Sequence, residues 1–406
     1  MKEIVRQRVR QTSLSIVKNS IQAIRKKDIT KTGCRLLENG KISIAGGLGK
    51  VCEEELFEKA REFIADAADY PVEPSENLRH KTEFKNFGIS DANLCERIQT
   101  ILDRARERHP NFFLSNKVNL TSYDYSISNE NGLDLSYYDC FVTLSFLIKE
   151  NTSTGIMDTF FGVTERNLDV EKVVSAIDHI INAYENKLEL PDEKLPVVID
   201  QSHLTRLFLR DLNGKIMGNG ASLFQNQIGE KVFSDNFTLK IANDPEETFS
   251  PAFDAEGVIA EPYLGILIEN GLIKRPYTDK RTAKQFDFEN TGCASGAYDS
   301  VPSLGTCMLE IAHSGKTLQE LLNGRKGVLV AIASGGDFTA EGKYATPVQV
   351  SYLTDGEKLL GRLPEITISG SIFDFFGKNF IGISSDKIYE AGNERLAVVG
   401  LDIKKL

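Results

Sequence analysis

The sequence lacks long apolar runs, closely paired cysteines and any excess of basic charge, and each absence removes a class of function. Its longest apolar stretches, residues 141–148 and 327–333, fall far short of the ~20 residues that a membrane-spanning helix needs. The opening residues MKEIVRQRVR carry charge but no apolar core, so no secretory signal is expected. Six cysteines (Cys34, Cys52, Cys95, Cys140, Cys293 and Cys307) form no C-x-x-C pair. In a chain of 406 residues they read as free thiols of a reducing compartment, and a cytoplasmic location follows as an expectation. Basic residues number 48 against 58 acidic ones, a formal charge of −10, which argues against a dedicated nucleic-acid binder. No membrane contact is expected either.

The familiar catalytic patterns are also missing. Five histidines are present, none followed by glutamate in an H-E-x-x-H arrangement. No G-x-S-x-G elbow marks a hydrolase nucleophile. Gly46-Gly47-Leu48-Gly49-Lys50 is rich in glycine but does not complete a phosphate-binding loop, and reads as a sharp turn before a helix. Cys293 lies in the glycine-bounded segment Thr291-Gly292-Cys293-Ala294-Ser295-Gly296, so it is either an exposed reactive thiol or a packing thiol in a tight turn. Asp254 and Glu256 could work as an acid–base pair, although 58 acidic residues make such neighbours common.

What is present is the alternation of a two-domain α+β protein. The first thirty residues are locally basic and read as an amphipathic strand, with an interaction arm as the alternative. Asn39-Gly40 predicts a hairpin between 34–38 and 41–45. Apolar residues at helical spacing predict helices over 53–68, 91–106 and 170–186, separated by a strand-rich stretch over 113–161. The proline-punctuated segment 187–196 reads as a linker. Beyond it only short helices are expected, at 203–212 and 317–323. The expected organisation is an N-terminal domain of antiparallel sheet and helices, residues 1–190, and a C-terminal mainly β domain, residues 191–406.

From Val197 to Asp386 a series of short motifs occurs in fixed order. Phe253-Asp254-Ala255-Glu256-Gly257-Val258 is followed by Leu267-Ile268-Glu269-Asn270-Gly271-Leu272, Asp279-Lys280-Arg281-Thr282-Ala283 and Thr291-Gly292-Cys293-Ala294. Gly335-Gly336-Asp337-Phe338, Tyr352-Leu353-Thr354-Asp355-Gly356 and Ile381-Gly382-Ile383-Ser384-Ser385-Asp386 complete it. Each is weak alone, but the ordered series resembles the TldD/PmbA family, often labelled modulators of DNA gyrase. Cys307 stands where that family tends to have asparagine.

The resemblance implies a metallopeptidase-related fold. It also implies a zinc-binding H-E-x-x-x-H upstream of a segment matched here by Gly220-Ala221-Ser222-Leu223-Phe224. Counting back without gaps places Thr205 and Arg210 at the ligand positions and Arg206 at the glutamate position. That departure resembles the PmbA/TldE branch, which lacks the zinc motif. It implies no catalytic residue, metal or cofactor in this chain, with zinc only on a TldD-type partner. The expected partners are that subunit, or a second copy in a homodimer, together with a peptide substrate. Arg206 and Arg210 form either an anion-binding pocket or an ordinary helix surface. The candidate peptide groove comprises Asp254, Glu256, Gly257, Thr291, Gly292 and Cys293. A stand-alone hydrolase, or a binding module acting on DNA gyrase, is the alternative expectation.

Overall fold

The chain is described from a computed structural model covering residues 1–84, 88–191 and 194–406. Its N-terminal half is built on an unusually long hairpin. Strand β1, Lys2–Val17, pairs antiparallel with β2, Ser20–Glu38. Their turn sets Lys18 and Asn19 in left-handed backbone, at φ 48° and 58°. Asn19 fixes it: its side-chain oxygen accepts from the Leu114 amide at 2.6 Å and its amide donates to the Phe112 carbonyl at 3.3 Å. The N-terminal amphipathic stretch is thus two strands, because asparagine tolerates the positive φ of a tight turn.

Asn39 and Gly40, at φ 52° and 74°, then form the predicted hairpin into β3, Lys41–Leu48. Gly46 and Gly47 belong to that strand, and Gly49 (φ 75°) makes the turn that follows. The sheet continues on the far side of β1 through Phe112–Asn129, Asp134–Glu150 and Thr159–Glu165, all antiparallel.

Helix α1 occupies Glu53–Glu62, shorter than the predicted 53–68. The chain leaves the helix because Ala68 and Asp69 pair with Ile42 and Lys41 at the sheet edge, which leaves Phe63 65% exposed. Helix α2, Asp91–Arg108, turns Leu94, Ile98, Ile101 and Leu102 fully inward onto Leu14, Val118, Leu144 and Phe146. Helix α3, Val170–Glu185, is capped by the Asp169 carboxylate and packs beside α2.

The C-terminal half carries a second, mostly antiparallel sheet in the order 380–383, 396–399, 197–200, 327–333, 343–354, 366–371 and 402–405. Helices there are short, as expected, though more numerous than the two predicted, and the whole is α+β. The segment 187–196 is not free-running throughout. The Leu188 amide donates to the Arg362 carbonyl at 2.8 Å, whereas Asp192 and Glu193 of the same predicted linker lie outside the described residues. The apolar core does not stop at residue 190: Ile177, Ile180 and Ile181 of α3 share one cluster with Leu329, Tyr352 and Val398. Among the described residues no helix is long and apolar enough to cross a membrane.

A close crossing also joins the halves. Gly33 and Gly46 are register partners on β2 and β3, and residues 298–299 pass over them. A Cβ at Gly33 would stand 1.7 Å from the Tyr298 carbonyl oxygen. Gly33→Ala is therefore expected to cost about 2–4 kcal/mol in thermal or urea unfolding. Gly155→Ala, whose nearest neighbour would lie at 3.5 Å, should change stability by less than about 0.5 kcal/mol.

Candidate functional site

The residues aligned with the family's metal motif lie on helix α4, Gln201–Asp211, which follows directly from the central strand Val197–Asp200. Asp200 caps it, its carboxylate accepting from the Ser202 amide at 2.8 Å. The helix turns Leu204, Thr205, Leu207, Phe208 and Asp211 inward. Phe208 is fully buried and meets the rings of Phe224, Phe233, Phe237 and Phe376 at centroid distances of 5.7, 5.6, 5.6 and 5.3 Å.

The end of α4 is tied to the segment Gly220-Ala221-Ser222-Leu223-Phe224. The Ser222 hydroxyl donates to the Asp211 carbonyl, and the Leu223 amide donates to the Asp211 carboxylate, both at 2.6 Å. Burial raises the Asp211 pKa from the ordinary carboxylate value, while the Leu223 amide and Arg210 oppose it.

Helical phase decides what the three motif positions can do. Thr205 is buried, its hydroxyl donating back to the Ser202 carbonyl at 3.5 Å. Arg206 and Arg210, one turn apart, are exposed on the outer face. A zinc site needs three or four imidazole, thiolate or carboxylate donors at about 2.0–2.3 Å. One hydroxyl turned into the core and two guanidinium cations supply none of these, so this donor set does not fit the metal. His203 is half-buried on the same helix. Among the described residues no three His, Cys, Asp or Glu side chains are placed to hold a metal ion. His109 and His179 are instead paired with single carboxylates, Asp178 at 3.0 Å and Glu390 at 2.8 Å.

The other six candidate residues lie in two crossing loops, and Glu256 braces these loops to the N-terminal half. The Asp254 carboxylate accepts from the backbone amides of Glu256, Val258 and Ala294, each at 2.9 Å. Glu256 accepts from the Tyr70 hydroxyl and, at 2.9 Å, from the Lys280 amide. The Lys280 ammonium donates to the Ser75 hydroxyl and the Glu73 carbonyl, both at 2.9 Å. Gly257 and Gly292 take φ of 67° and 69° in the two crossing loops. The buried Thr291 hydroxyl accepts from the Thr278 amide at 2.7 Å. Cys293 is buried in the core, its sulfur hydrogen-bonding with Thr291, and it lies beside Cys307. Its hydrogen bond with Cys293, together with burial, pushes the Cys307 thiol pKa up.

Beneath this loop lies a feature that the sequence did not single out. Arg35, 1% exposed, donates to the buried Glu3 carboxylate at 3.0 Å and to the Ala255 carbonyl at 2.7 Å. The available signal was a lone arginine within the otherwise apolar run Cys34-Arg35-Leu36-Leu37. Tyr70 carried no signal, and Lys280 entered only as one residue of the Asp279-Lys280-Arg281-Thr282-Ala283 motif.

Burial pushes the Asp254 carboxyl up to about 7; the Glu256 charge adds to this and the three backbone donors oppose it. Between about pH 4 and 7 the native state therefore holds a proton there that the unfolded chain has released, so this contribution to stability falls as pH rises. The stability difference between wild type and Asp254→Asn should accordingly shrink over that interval. Urea unfolding at stepped pH measures it, and a difference that stays flat or grows would contradict the assignment.

With the fold and both sites in view, the comparisons place the chain. Residues 192–396 match the PmbA/TldA metallopeptidase C-terminal domain, and the chain belongs to this PmbA/TldD family. In fold it is similar to the crystal structure of TldE from Thermococcus kodakarensis, with a TM-score of 0.81 and 20% identity over 100% of this chain and 96% of that one. It is 23% identical to an uncharacterized protein of Methanocaldococcus jannaschii over 85% of this chain and 82% of that protein. It is also 25% identical to a metalloprotease of Methanothermobacter thermautotrophicus, over 48% of this chain and 44% of that protein.

Proposed function

We propose that this chain is the zinc-free, TldE-type subunit of a two-chain peptidase, and that a TldD-type partner supplies the metal and the bond cleavage. The observation that carries this reading is the content of helix α4: Thr205 is buried, and Arg206 and Arg210 are exposed, where the family motif would place two histidines and a glutamate. Family membership and the likeness to TldE support it. In this reading the chain completes the assembly and helps to hold an extended peptide, while Arg206 and Arg210 offer positive charge to a peptide carboxylate. The internal brace of Asp254, Glu256 and Thr291 positions the loops around that peptide. Six free cysteines support a reducing, cytoplasmic setting.

The test is cleavage of an unfolded model polypeptide by the chain alone and with a TldD-type metallopeptidase added. No cleavage is expected from the chain alone. Chelator-sensitive cleavage is expected from the pair, at a rate above that of the partner by itself. Cleavage by the isolated chain in the presence of a chelator would overturn the reading.

A further inference from the structure

The long hairpin leaves one side of β2 open. On its inner side β2 is paired with β1 along its whole length. On its outer side β3 covers only Lys31–Glu38, and the last tie is the Gly49 amide donating to the Thr30 carbonyl at 2.8 Å. Beyond that point no strand among the described residues pairs with the outer side of β2. Residues 22–29 are exposed in an unbroken row, as a strand flanked on both sides would not be. Ile24 and Ile29 are 53% and 40% exposed there, and Leu48 and Val17 add further exposed apolar surface at the two ends of this stretch.

The charges along this edge are lopsided. Lys26 is paired with Asp91, and Asp28 is held by Arg8. Arg25 and Lys27, two residues apart and so on one face of the strand, have no ion-pair partner among the described residues. Lysines often guard an edge against indiscriminate pairing. Here they flank exposed isoleucines, and charges that repel most strands admit an acidic one. A second copy is disfavoured: antiparallel pairing of this edge with itself would bring Arg25, Lys26 and Lys27 of both chains together.

We infer that the open edge of β2 over residues 22–29 is a docking site for an extended acidic segment of another polypeptide, added as a further strand. Backbone pairing supplies the register, Arg25 and Lys27 select acidic side chains on one face, and Ile24 and Ile29 supply the apolar contact. This inference does not rest on the peptidase reading, because the edge is remote in sequence from helix α4 and its neighbours.

The test uses the full chain with two synthetic ten-residue probes, one alternating Glu with Val and one alternating Lys with Val. Amide hydrogen exchange and titration at low and moderate salt are the readouts. The Glu–Val probe should slow exchange within residues 22–29 and bind about tenfold more tightly than the Lys–Val probe, a ratio that two exposed charge pairs can supply. The double variant Arg25→Glu/Lys27→Glu, altered only at exposed side chains, should reverse that preference. Protection elsewhere or nowhere, equal binding of the two probes, or tighter protection of the same amides by a single-stranded RNA oligomer would overturn the inference.

Discussion

Arg35→Ala is expected to destabilise the protein by about 3–5 kcal/mol, with the midpoint of urea unfolding as the readout. The guanidinium is 1% exposed and carries two obligations, to Glu3 and to the Ala255 carbonyl. Removing it leaves the Glu3 carboxylate, also buried, without its counter-charge, and an unpaired buried charge costs far more than a surface ion pair returns. The double change Arg35→Met/Glu3→Leu removes both charges together and should recover more than half of the loss. If Arg35→Ala costs under about 1 kcal/mol, the clasp between β2 and residues 253–258 does not bear on the join of the two halves.

Phe208→Ala is expected to cost a similar 3–5 kcal/mol, for a different reason. The ring sits at the centre of four other phenylalanines and is fully buried, so truncation leaves a cavity that rigid aromatic neighbours cannot close. Because Phe208 anchors helix α4, the same variant should reduce the activity of the assembled pair by more than Arg206→Lys does. An Arg206→Lys variant keeps the charge and the anchor.

Much of the fold could be read from the sequence, since helices α2 and α3 and the Asn39–Gly40 hairpin are written in local pattern. Leu94, Ile98, Ile101 and Leu102 repeat at helical spacing, and all four are fully buried. Where pairing partners decide the outcome, the sequence was silent. Helix α1 stops early because the next residues find a strand to join. The Lys18–Asn19 turn is fixed by bonds between Asn19 and the remote residues Phe112 and Leu114.

The six loop residues from Asp254 to Cys293 lie in two loops that the Asp254 carboxylate ties together through the Ala294 amide. Glu256 accepts from Tyr70 across the domain join, a contact that no local pattern encodes, and from the Lys280 amide of its own half. The arginines of α4 were legible as an anomaly in the motif, and helical phase then set Thr205 inward and both guanidiniums outward.

The most direct measurement is the metal content of the purified chain, taken before and after a TldD-type metallopeptidase is added and the complex re-isolated. Zinc is expected far below one equivalent in the chain alone, and at about one equivalent per pair in the complex, all of it retained by the partner when the two are separated. One tightly held zinc per chain in the isolated protein, surviving dialysis and lost on disruption of helix α4, would contradict it.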